Sequence, residues 1–131
     1  MKYIFMVFFL IGLASCSNST TQNSNSTVGC EIMGKTADVD FPGVKLTVRY
    51  IDENNLHWKT DTNEAYEMIS YAKLAANIHF LNWIEKDGMT VSHIVDCESN
   101  TVKSFLSWQD PKSKRGARTG ILRSGVIKFN E

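Results

Sequence analysis

The chain has 131 residues with 14 Lys+Arg against 14 Asp+Glu, a formal net charge of zero, so no overall basic field recommends nucleic acid as a partner. With 43% hydrophobic residues, two prolines and three cysteines, the composition excludes a collagen-like or low-complexity chain and a disulfide-dense miniprotein.

Lys2, the apolar run Tyr3 to Leu13 and the small pair Ala14-Ser15 have the order of an export signal, expected over residues 1–15. The run is about a dozen residues, short of the roughly 20 that cross a bilayer. Cys16 directly after the small pair matches the bacterial lipoprotein pattern, so Cys16 is the expected lipidation site and the membrane a partner through that lipid. An ordinary secretory signal ending near a cysteine is the alternative. Ser17 in place of aspartate resembles the default sorting signal for the outer membrane of Gram-negative bacteria. Residues 16–29 then form a flexible linker, because Ser17 to Thr27 contains no apolar side chain with which to offset ordering entropy.

Residues 30–131 are enough for one domain with one core. Cys30 and Cys97 are expected either to bridge or to stay as separate buried thiols; spacing alone does not decide. Turn signals recur every eight to twelve residues, and the segments between them are rich in β-branched and aromatic residues. Strands are predicted near residues 35–41, 44–51, 56–60, 64–71, 78–84, 89–96, 101–108 and 120–129, with Pro42-Gly43, Asp52 to Asn55, Lys86-Asp87-Gly88 and the loop Gln109 to Thr119 among the connections. None has room for a crossover helix. Ala72 to Ala76 alone has helical propensity and is expected to form a turn or a lid. The expected fold is all-β: a small eight-stranded antiparallel up-and-down barrel, which removes exposed edges by closing on itself.

Alternation along the fifth predicted strand puts His79, Leu81, Trp83 and Glu85 on one face and Ile78, Phe80, Asn82 and Ile84 on the other. Both faces are apolar enough to pack on something, and a second copy of the chain is one expected partner for the outer one. Trp58, Tyr50, Tyr66, Phe105 and Trp108 are expected mainly in the core.

The run Leu81-Asn82-Trp83-Ile84-Glu85-Lys86-Asp87-Gly88-Met89-Thr90-Val91-Ser92-His93-Ile94-Val95-Asp96 resembles the MoaF-like family, named for a molybdenum-cofactor biosynthesis protein. Gly34-Lys35-Thr36 and Leu56-His57-Trp58-Lys59 look like that family too, and the resemblance covers roughly Gly34 to Trp108. It implies a calycin-type barrel related to lipocalins, with no defined chemistry. A more distant similarity reaches phenolic acid decarboxylases, which would make Glu85 a proton donor. Val39 and Phe41 fall near those enzymes' tyrosine positions, however, and no clear arginine aligns.

Glu85, His79, Trp83, Leu81 and Trp58 are the expected ligand-binding residues: an acceptor, a switchable donor and flat apolar walls facing one cavity. Solvation at a strand end is the plain alternative for Glu85. The three histidines show no metal-ligand spacing, so no metal and no cofactor are expected. Lys112, Lys114, Arg115 and Arg118 form the one basic cluster, either a solvated loop or a contact for anionic headgroups. The expected function is a binding module for a small apolar or amphipathic molecule, without catalysis. The alternatives are a loop-mediated interaction or inhibitor protein of the periplasm, and a lyase using Glu85.

Overall fold

The computed structural model describes residues 29–131, so Cys16, the export signal and most of the linker lie outside the described residues. Among the described residues nine strands follow one another without a helix: β1 (Thr36–Phe41), β2 (Val44–Asp52), β3 (Asn55–Lys59), β4 (Glu64–Met68), β5 (Ser70–Ala75), β6 (Ile78–Ile84), β7 (Thr90–Asp96), β8 (Thr101–Gln109) and β9 (Arg118–Phe129). They form one antiparallel sheet in the order β4-β3-β2-β1-β9-β8-β7-β6-β5. Every neighbour in this sheet is also a neighbour in sequence except β1 and β9, which pair from Ala37↔Phe129 to Asp40↔Val126 and close the meander.

The expected eight strands are nine because the fourth breaks at Ile69. Residues 64–68 pair with β3 and residues 70–75 pair with β6, so β4 and β5 are the two lateral ends of the sheet, joined by a single residue. Eight antiparallel pairings separate them, an even number, and the two therefore run in the same direction. They behave as one bent strand that serves both edges, so the chain itself bridges the seam where the hydrogen-bonded ladder stops. Ile69 is buried at the bend, and its N–H donates to the Asn54 carbonyl at 2.8 Å. Ala72 to Ala75, expected as a helical turn or lid, belong to β5: pairing with β6 outweighs the helical propensity of so short a segment.

Alternation selects the interior. Ala37, Val39, Phe41, Val48, Tyr50, Leu56, Leu81, Trp83, Val91, Val95, Val102 and Ile127 make the core, contributed by seven of the nine strands. Ile32, fully buried, precedes β1 and closes the end of the barrel at which β1, β3, β6 and β8 begin. At that end Cys30 and Cys97 are joined as a disulfide with Cα atoms 6.4 Å apart, and the Cys30 N–H donates to Asn77 Oδ1 at 3.0 Å. Gly125 marks where β9 meets β1; a Cβ there would fall inside the van der Waals shell of the Asp40 carbonyl oxygen, so only glycine lets the two strands approach.

Of the aromatic residues expected in the core, Tyr50 is fully buried and Trp58 half-buried. Tyr66, Phe105 and Trp108 are exposed, on outward positions of β4 and β8 and at the open end of β8.

Candidate functional site

The end opposite Ile32 is open. A cavity of about 240 Å3 enters the barrel there, between the β1–β2 turn, the end of β3 and the β6–β7 turn. Its walls are mostly apolar, with Phe41, Leu46, Val48, Leu56, Trp58, Trp83, Met89 and Leu106 among them, and its polar groups are few: Thr60, Glu85, His93, Ser104 and Arg123. A larger groove of about 670 Å3 crosses the outside of β1 and β2, where Lys45 pairs with Asp40 at 3.1 Å and Thr47 donates to Asp38 at 2.9 Å. The interior cavity combines enclosure with a small set of convergent polar groups, which is the usual form of a ligand site.

Three of the five expected ligand residues, Trp58, Trp83 and Glu85, line this cavity. His79 and Leu81 share their face of β6 but are placed elsewhere. Leu81 is fully buried in the core, and His79 lies six residues, roughly 20 Å of strand, from Glu85. Its Nδ1 is 2.9 Å from the Tyr71 hydroxyl and its Nε2 is 3.4 Å from Cys30 Sγ, in the closed end of the barrel. Burial, with Lys73 nearby, pushes the His79 imidazole below its ordinary range, so it stays neutral. Cys30, Cys97 and His79 bring their ligand atoms within 4.8 Å of one another, but the two sulfurs are bonded to each other and offer no thiolate.

Glu85 stands at the mouth, in the turn closed by its own N–H to the Met89 carbonyl at 2.7 Å. Desolvation raises its pKa, the carboxylates of Glu67 and Asp87 add to the rise, and the Trp83 indole N–H partly offsets it. Glu67 accepts from Trp58 Nε1 at 3.3 Å, which fixes that ring against the wall.

Sequence reasoning missed the polar row deeper in. Register places Leu81, His93, Ser104 and Arg123 side by side on β6, β7, β8 and β9. His93 is buried between two partners: its Nδ1 is 2.7 Å from Ser104 Oγ, and its Nε2 is 3.0 Å from the hydroxyl of Tyr50 on the far wall. Burial lowers its pKa to about 4, and burial likewise raises that of Tyr50, so the network is neutral at neutral pH. Both imidazole nitrogens are occupied, so His93 organises the wall and has no free nitrogen for a ligand. Arg123 differs. Its side chain lines the cavity and enters none of the side-chain hydrogen bonds or ion pairs among the described residues, and its Nε is buried without a partner. Arg123 lies outside the β6–β7 motif and reaches the cavity from β9.

The basic loop divides. Arg118 is a structural clamp that donates to the Ser107 carbonyl at 2.8 Å and to Thr90 Oγ1 at 3.1 Å, tying the β6–β7 turn to β8 and β9. Lys112, Lys114 and Arg115 remain exposed.

A family model described as MoaF-like matches residues 33–119, slightly beyond the motif resemblance at each end. Among solved structures, the chain is similar to a Burkholderia vietnamiensis protein whose assignment as a beta-lactamase is provisional. That likeness has 18% identity and a TM-score of 0.62, and covers 78% of this chain and 98% of that one. At that identity it concerns the fold alone. No curated protein matches the sequence.

Proposed function

The chain belongs to the MoaF-like family, and from that premise we propose that it is a binding module, held to the outer membrane through a lipid on Cys16, that takes a small amphipathic molecule into the open end of its barrel without chemical turnover. The observation that carries this reading is the cavity itself: apolar walls with two indoles, one mouth, and a polar row whose histidine and tyrosine are committed to each other. Such an arrangement supports retention. Ser104 and His93 do not favour nucleophilic chemistry, since no carboxylate orients the imidazole and its low pKa makes it a weak base.

Trp58 and Trp83 report occupancy. Titration with 2-naphthol, a neutral probe of fitting size, is expected to quench tryptophan fluorescence saturably, with a Kd of about 1 mM or tighter. Leu106→Trp, which fills the cavity, should weaken that binding at least tenfold in a protein that still unfolds cooperatively. Linear, unsaturable quenching by wild-type protein rejects the ligand site. For the anchor, intact-mass measurement on protein extracted from its own envelope is expected to find a chain beginning at a lipid-modified Cys16. An unmodified, uncleaved amino terminus rejects that part.

A further inference from the structure

Two buried polar atoms among the described residues have no hydrogen-bond partner, Trp83 Nε1 and Arg123 Nε, and both belong to residues that line the one cavity. Both are donors. The Trp83 indole faces Glu85, whose carboxyl it influences, so an acceptor is close by for it. For Arg123 the protein offers nothing comparable: the described ion pairs are Lys45–Asp40, His57–Glu64 and Lys73–Glu31, and none includes it. Burying part of a guanidinium without an acceptor costs free energy of the order of a lost charged hydrogen bond. Surface arginines avoid this by extending into water along the outer face. Arg123 instead occupies an inward position of β9, beside Ser104 in register, and is the only cation among the lining residues.

We infer that the ligand is a small amphipathic carboxylate, its anionic head received by Arg123 beside Ser104 and its apolar body by Trp58, Trp83, Leu106 and Met89. This rests on the reading of the cavity as a ligand site. The complement is read group by group: an unpaired donor cation selects an anion, a guanidinium fork suits the two oxygens of a carboxylate, and the surrounding walls select a body without further polar groups. Size sets a limit as well. A volume of about 240 Å3 holds the equivalent of roughly eight waters, so a ligand of about ten non-hydrogen atoms fills it. Glu85 does not oppose the head: it lies at the mouth, four residues along the chain, roughly 13 Å of strand, from Leu81, whose row in the sheet holds Arg123.

The test uses matched pairs that differ only in the head: octanoate against 1-octanol, and phenylacetate against 2-phenylethanol. Affinity is measured by tryptophan fluorescence and calorimetry on the domain and on two variants, Arg123→Gln and Arg123→Lys. Wild type is expected to bind at least one carboxylate tenfold or more tightly than its alcohol. Arg123→Gln should abolish that preference while leaving alcohol binding within about threefold, which also shows that the variant is folded; Arg123→Lys should retain part of the preference. Equal affinity for acid and alcohol in wild type, or an unchanged preference in Arg123→Gln, overturns the carboxylate assignment and leaves the cavity a neutral apolar site. Failure of all four probes to bind removes the ligand site and this inference with it.

Discussion

Replacing Cys30 and Cys97 together by alanine is expected to lower the stability of the domain by about 4 kcal/mol, because the bond closes a loop across a sequence separation of 67 and so removes a large share of the unfolded chain's freedom. The native state loses little else. Both residues are only half-buried, and the Ala76-Asn77 turn beside them retains its other tie, the Cys97 N–H to the Asn77 carbonyl at 3.0 Å. A domain of this size has roughly 5 to 15 kcal/mol in total. The melting temperature should therefore fall by roughly 15 to 30 °C. Urea unfolding of the oxidised wild type, the reduced wild type and the double variant measures it, with the last two expected to agree. A variant within about 0.5 kcal/mol of the oxidised protein would show that the bridge does not constrain the chain as described.

The second large effect is acid loss of stability through His93. Its ordinary pKa is 6.5, and burial lowers it in the folded protein to about 4. Between these values the unfolded chain binds a proton that the folded one refuses. The contribution is therefore complete above pH 6.5, declines as pH falls from 6.5 to 4, and changes no further below that. Over the window it amounts to roughly 3 kcal/mol. Glu85 acts with the opposite sign, since a raised carboxyl pKa in the folded state favours folding as pH falls. Wild-type stability alone mixes these two with the contribution of His79, whose lowered pKa acts in the same direction as His93, and His93→Gln isolates the His93 share. The variant should be less stable at pH 7, having lost the links to Tyr50 and Ser104, yet its stability should vary less between pH 6.5 and 4. Parallel curves for the two proteins would mean that His93 is not the group that titrates.

Much of the architecture was legible because the turns carry their own chemistry. Pro42-Gly43 and Lys86-Asp87-Gly88 put a glycine where the backbone needs positive φ, 81° at Gly43 and 86° at Gly88, and so the hairpins stand where turn residues placed them. The inward face of β6 followed from alternation for the same local reason. The break at Ile69 did not, since no glycine or proline marks it: the bend comes from neighbours on both sides of the seam, β3 and β6, far apart in sequence. The site divides in the same way. Trp83 and Glu85 sit on the recognisable motif, whereas His93 depends on Tyr50, 43 residues earlier, and on a register that a single strand does not reveal. Arg123 was least legible of all. In Leu122-Arg123-Ser124-Gly125 a charged residue between exposed neighbours reads as a solvent-facing one, and only the pairing with Ser104 turns it inward.

The chain comes into the barrel past Cys30 and Ile32, at the pole opposite the one where Phe41, Glu85 and Met89 rim the opening. Load applied through the leading segment would therefore reach β7 and β8 through the sulfur bridge before it could peel β1 from β9. A molecule lodged in the cavity would therefore come and go at the pole remote from the point where the chain enters the barrel.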